Sequence, residues 1–282
     1  MFKTRLLSGI LLVLIALVAV IGGGRILFGV VLCISFIGMS ELYKVFQVEK
    51  AGLGIVGYLA ALVYYLLIYL RQYSHIFEEI PGLQDGRWFS LFCMLLVIGV
   101  MSIYVFTFPR YKTEQVVGVF FGVFYVAVML SYIYQTRMLS GGVFSTWLVF
   151  FASWGCDTCA YCTGVLIGKH KMSPKLSPKK SVEGAVGGVL GAALLGTLYA
   201  LAVNHWAGAG ENPAVYAIVC VVGGLISMVG DLAASAIKRN YEIKDYGKLI
   251  PGHGGILDRF DSVIFVAPII YYLIVFMQNV LA

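Results

Sequence analysis

The chain is punctuated by apolar stretches of about 20 residues with few or no charges, the length needed to cross a bilayer core about 30 Å thick. Read between polar breaks, they fall near 6–21, 26–46, 52–70, 88–108, 115–135, 143–167, 184–203, 214–237 and 260–281. Lipid offers the backbone no hydrogen-bonding partner, so helices of this kind satisfy themselves internally. The expectation is an all-α, polytopic integral membrane protein with about nine transmembrane helices. Composition agrees: 60% of residues are hydrophobic and 12% charged, whereas a soluble domain has about a quarter charged. The first stretch follows Lys3 and Arg5, shows no clear small-residue cleavage site and is read as a retained helix. Turns are expected at Pro81-Gly82, Pro109-Arg110 and Asn212-Pro213.

With nine spans, all but four of the 20 lysines and arginines fall on the side of the N-terminus. The other side holds only Arg25, Arg71, Arg87 and Arg137. The positive-inside rule therefore predicts a cytoplasmic N-terminus, with the two longest polar loops, 168–183 and 238–260, also in the cytoplasm. The net charge of +6 is accounted for by topology and anionic headgroups, and nucleic acid is not implied as a partner. The six cysteines lie in or beside apolar segments, which argues against a disulfide framework. Cys156, Cys159 and Cys162 lack a fourth ligand for a cluster and are read as helix packing. Glu41 and Lys44, three apart, are read as an interfacial pair.

Function is expected in the C-terminal half. Residues 1–140 hold about five helices with no assigned site, and residues 141–282 form the catalytic region. In loop 238–260 and its flanks, Asp258 and Asp261 stand three apart at the start of the last helix, so their carboxylates share a face and can hold a hard divalent cation. Pro251-Gly252-His253-Gly254-Gly255 lets backbone approach a ligand, and the helix N-terminus behind it is expected to offer free N–H groups to phosphate. Lys238, Arg239, Lys244, Lys248 and Arg259 can neutralise phosphate charge. Asp231 lies about six residues, roughly 9 Å, inside its expected helix end. An ionisable group at that depth marks function by default.

The order Ser235-x-x-Lys238-Arg239, Lys244-Asp245, Pro251-x-His253-Gly254-Gly255 and Asp258-Arg259-Phe260-Asp261 strongly resembles the signature of the CDP-diacylglycerol synthase, or phosphatidate cytidylyltransferase, family. The stretch from Asp157 to Gly184 looks like that family's upstream conserved block, so the resemblance covers roughly residues 150–265. It implies transfer of a cytidylyl group from CTP to phosphatidic acid, with magnesium required, pyrophosphate released and CDP-diacylglycerol left among the membrane lipids. It implies Asp231, Asp258 and Asp261 as metal ligands and as catalytic groups together with Lys238 and Arg239. Substrate contacts are expected from Ser235, Lys244, Asp245, His253, Gly254, Gly255, Arg259, Asp157, Lys169, Lys179 and Lys180. For Asp157 a helix–helix hydrogen bond is the alternative. His253 is read as a phosphate donor or a member of the glycine turn, because an ionised phosphate nucleophile needs no base. A second metal ion and a homodimer stay open. The expected location is a bacterial-type plasma membrane with the active site facing the cytoplasm.

Two rivals fit less well. A transporter predicts paired repeats and broken helices at the midplane, whereas charge here concentrates at one membrane face. A CDP-alcohol phosphotransferase would carry Asp-Gly, Ala-Arg and paired Asp at a spacing absent from this chain.

Overall fold

The computed structural model describes residues 2–50, 52–74, 80 and 86–281, so His75 and the turn expected at Pro81-Gly82 lie outside the described residues. The chain runs through helices α1 (Phe2–Gly22), α2 (Gly24–Val45), α3 (Gly52–Tyr73), α4 (Arg87–Phe106) and α5 (Thr113–Arg137). Then come α6 (142–167), α7 (Val182–Ala207), α8 (Pro213–Asn240) and α9 (Leu257–Leu281). Among the described residues, seven of these helices are long and apolar enough to cross a membrane, and Ser8–Gly22 forms a shorter apolar helix. The seven do not include α6, which carries Asp157 and several hydroxyl residues within its length.

Helix ends extend a few residues past the apolar runs because polar caps complete them. Ser181 Oγ accepts from Gly184 N at 3.1 Å to start α7. Asn212 Oδ1 accepts from Ala214 N at 2.9 Å ahead of Pro213 at the first position of α8. One feature departs from the all-α expectation. Loop 168–183 contains an antiparallel hairpin of β1 (Lys171–Ser173) and β2 (Ser177–Ser181), paired Lys171 to Ser181 and Ser173 to Ser177. Pro174 and Pro178 disfavour helix there. The hairpin is tied to the start of α7 by Glu183, whose carboxylate accepts from Lys169 N at 3.0 Å and His170 N at 3.2 Å and meets His170 Nδ1 at 2.5 Å.

The chain divides into two compact units, one of residues 1–31 with 132–282 and one of residues 32–131. This division rests on packing and is distinct from the functional boundary expected at residue 140. In the smaller unit buried tyrosines are satisfied across helices: Tyr43 donates to Val119 O at 2.9 Å, and Tyr65 pairs with Ser35 at 2.6 Å. The expected Glu41–Lys44 pair is not the one formed. A turn with Gln47 at φ 57° folds Glu49 back onto Lys44 (3.3 Å) and Ser40 (2.9 Å), while Glu41 is buried.

In the larger unit, α7 lies closely against α6 through its glycine face. Lipid supplies no hydrophobic drive between helices, so small residues that permit close backbone approach carry the association. A Cβ at Gly188 would stand 2.9 Å from both Cys156 O and Ala160 Cβ. Cys156 is buried and Cys159 faces Gly191, whereas Cys162 is exposed, so two of the three cysteines serve packing. Gly188→Leu is expected to destabilise the protein by about 1–3 kcal/mol through overpacking. A lowered thermal midpoint in detergent measures it, with Leu190→Ala on the exposed face leaving the midpoint in place.

Candidate active site

The loop between α8 and α9 is organised around one carboxylate. Asp258 is 6% exposed. Its Oδ1 accepts from Lys238 Nζ at 2.9 Å, and its Oδ2 accepts from Tyr246 N at 2.8 Å and Gly255 N at 2.9 Å. Tyr246 in turn donates its hydroxyl to Ala234 O at 3.1 Å, and its ring lies 5.4 Å from Lys238 Nζ. Close approach at Gly254 (φ 85°) is obligatory, since a Cβ there would meet Asp258 Oδ2 at 2.8 Å. The expected free N–H groups are partly consumed by this arrangement: Gly255 N serves Asp258, and Arg259 N and Phe260 N go to Ile256 O. The first turn of α9 caps itself.

Around this knot lies a cavity of about 480 Å³. Its charged lining carries Asp157 from α6, Lys179 and Lys180 from β2, Asp231 and Lys238 from α8, and Asp258, Arg259 and Asp261 from α9. Lys180 forms an ion pair with Asp231. Burial holds the Lys180 ammonium below the usual lysine range, against the pull of Asp157 and Asp261. Asp261 Oδ1 accepts from Ser262 N at 2.8 Å, and Ser262 Oγ donates to Asp157 at 3.3 Å. Asp157 thus lies at the cavity and also bridges α6 to α9, so its two expected roles are not exclusive. The same lining includes the apolar side chains of Ala160, Tyr161, Val165, Met172, Ala185 and Met228.

A second cavity of about 510 Å³ is lined by Lys244, Asp245, His253, Gly254 and their neighbours in the loop, together with Arg259. Ser235, Arg239, Gly255 and Lys169 line neither cavity. Ser235 sits four residues beyond Asp231 and three before Lys238, on the same face of α8. Arg239 is exposed. Lys169 reaches Glu183 through its backbone.

Several contributors escape a reading of the sequence. Trp154 Nε1 donates to Arg259 O at 3.0 Å, pinning α6 to α9 next to a π-helical segment, Phe151–Gly155, that precedes Asp157. The apolar lining has no signature among so many apolar residues. Ser8 of α1 hydrogen-bonds the glycine loop, meeting His253 Nδ1 at 2.7 Å.

The donor set suits a hard divalent cation, since Mg²⁺ takes one or two carboxylates and fills its remaining positions with water and phosphate oxygens. Among the described residues no three of His, Cys, Asp and Glu converge as a ready-made cluster. Protein carboxylates plus substrate oxygens are therefore the fitting arrangement.

Membrane-length helices, and a cavity lined by four aspartates, four cations and apolar side chains, define an integral membrane protein with a site suited to anionic ligands that also carry apolar groups. Comparison with known proteins makes this specific: residues 3–277 match the cytidylyltransferase family, and the chain belongs to it. It is similar to the phosphatidate cytidylyltransferase of Bacillus subtilis (strain 168), with 32% identity over 279 residues, covering 96% of this chain and 97% of that protein. Similar too are the proteins of the same name from Staphylococcus epidermidis (strain ATCC 12228 / FDA PCI 1200), 33% identical over 97% of this chain and 99% of that one, and Staphylococcus aureus (strain COL), 30% identical over the same shares.

Replacing Asp258 by Ala strands Lys238 and two backbone N–H groups in a buried place, which costs roughly 3–5 kcal/mol. A large fall in the unfolding midpoint is expected for Asp258→Ala, and a much smaller one for Asp157→Ala, whose carboxylate, among the described residues, accepts a single hydrogen bond, from Ser262 Oγ.

Proposed function

We propose that this chain transfers the cytidylyl group of CTP to phosphatidic acid, releasing pyrophosphate and leaving CDP-diacylglycerol in the membrane. The observation that carries the reading is the mixed lining of the first cavity, which brings charged groups and apolar side chains into one space. A lipid phosphate needs both at once. The same name borne by its bacterial relatives supports it.

The chemistry is a single in-line displacement. An ionised oxygen of phosphatidate attacks the α-phosphorus of CTP, the new P–O bond forms, and the bond to the bridging oxygen of pyrophosphate breaks. A phosphomonoester carries about −1.5 to −2 charge near neutral pH, so the nucleophile arrives already deprotonated. The barrier is repulsion between two anions, and the protein answers it with position and countercharge. Lys179, Lys180, Lys238 and Arg259 supply cations, and the apolar lining holds the glycerol and acyl start of the lipid. Asp231, Asp258 and Asp261 would hold Mg²⁺, which when bound supplies charge neutralisation at the phosphates.

The distribution of basic residues supports nine spans, a cytoplasmic N-terminus and an active site on the cytoplasmic face, where CTP is dissolved. The bacterial origin of the relatives supports a plasma-membrane location.

The test is conversion of labelled CTP and phosphatidate to CDP-diacylglycerol by purified protein in detergent. Product is expected with Mg²⁺, with loss on EDTA treatment and recovery on adding the metal back. Asp231→Asn and Asp261→Asn are expected to lower kcat by at least about 100-fold in protein that still folds, beyond any fall in the unfolding midpoint from unpairing Lys180. Wild-type protein that folds but forms no product sinks the proposal.

A further inference from the structure

The two cavities share Arg259 and no other residue, and their linings differ in kind. The first has an extensive apolar lining. The second is built from loop backbone and cations, with little apolar surface beyond Ile250 and Pro251. Lys244 and Lys248 are exposed and form no ion pair or hydrogen bond with any described residue. Arg259 is held by Nε to His253 O at 3.0 Å, which leaves the other guanidinium N–H groups to ligands. A diacylglycerol phosphate suits the first cavity. A soluble polyphosphate suits the second, where two exposed ammonium groups and an anchored guanidinium outnumber the single carboxylate of Asp245.

We propose that the second cavity seats the β- and γ-phosphates of the nucleotide, that Arg259 marks the transferring α-phosphate between the cavities, and that Ser8 of the first helix is the positioning residue for this seat. The assignment rests on the cytidylyl-transfer reading above. In an in-line displacement the attacking and departing oxygens stand on opposite sides of the phosphorus. Two cavities that both border Arg259 offer the lipid oxygen one space and pyrophosphate another.

The role of Ser8 follows from how the wall is made. Gly252 (φ 78°) and Gly254 (φ 85°) adopt the left-handed backbone that glycine favours, and the turn over residues 250–253 closes with His253 N donating to Ile250 O at 2.9 Å. Ser8 Oγ donates to Pro251 O at 3.2 Å and is hydrogen-bonded to His253 Nδ1 at 2.7 Å. Gly9 follows it, and a Cβ there would come within 3.8 Å of His253 Cε1. One hydroxyl on α1 therefore braces both Pro251 and His253 on the wall of the second cavity.

The experiment measures equilibrium binding of labelled CTP and of pyrophosphate to the full-length protein in detergent, then KM for each substrate. In Lys248→Ala, both Kd values and KM for CTP are expected to rise about 10-fold, the loss of one charge-assisted contact, while KM for phosphatidate stays put. Ser8→Ala is expected to show the same split at a smaller size, about 3-fold or more, with Ser8→Thr restoring the wild-type value. A rise in KM for phosphatidate, an equal rise for both substrates, or unchanged pyrophosphate binding in Lys248→Ala overturns the assignment of the cavity. A Ser8→Ala protein with wild-type CTP affinity, or a defect that Thr fails to rescue, overturns the role of Ser8. Wild-type protein that binds CTP and pyrophosphate in this way but makes no CDP-diacylglycerol contradicts the reaction while sustaining the polyphosphate seat.

Discussion

The carboxylate of Asp258 joins the C-terminal turns of α8, the loop that follows it and the start of α9 at a single buried point. It accepts three hydrogen bonds, from Lys238 Nζ, Tyr246 N and Gly255 N. Hydrogen bonds to a charged group contribute about 1.5–3 kcal/mol each, and removing this one partner leaves a buried cation and two buried N–H groups uncompensated. Because Gly254 touches the same carboxylate, the glycine turn takes its position from it as well. Both cavities inherit their shared boundary from this knot.

Charge in the first cavity is arranged in pairs. Lys180 stands with Asp231 and Lys238 with Asp258, in places where a lone charge would pay a desolvation penalty of several kcal/mol. Pairing lets one small volume hold both ammonium groups suited to phosphates and carboxylates suited to a divalent ion. The π-helical turn before Asp157 and the Trp154 bond to Arg259 O fasten α6 to the same centre. The acidic centre thus receives side chains from α6, α8 and α9 and lysines from the hairpin, all within one compact unit.

Much of this is legible in the amino-acid sequence, for reasons that differ by feature. Apolar runs mark the helices because lipid demands them, yet the ends fall a few residues further out, since Ser181 and Asn212 are polar caps that an apolar run omits. The spacing of Asp258 and Asp261, the depth of Asp231 and the lysines of loop 168–183 point to one site, and Asp157, Lys179, Lys180, Asp231, Lys238, Asp258, Arg259 and Asp261 do line one cavity. Ser235, Arg239, Gly255 and Lys169 match the family pattern without lining either cavity. Backbone partners leave no trace in residue identity, so the two N–H groups on Asp258 and the self-capped turn of α9 are invisible beforehand. The same holds for long-range contacts such as Ser8 with His253, 245 residues apart, and for the Glu49 carboxylate that displaces Glu41 as the partner of Lys44.

The central claim is that lipid phosphate and nucleotide react directly, with no covalent cytidylyl-enzyme intermediate. The stereochemistry at phosphorus reads this most directly: CTP chirally substituted with sulfur at the α-phosphate is converted to the thio analogue of CDP-diacylglycerol, and the configuration of the product is determined. A single in-line displacement requires inversion. Retention would mean two successive displacements through a protein nucleophile and would contradict the account.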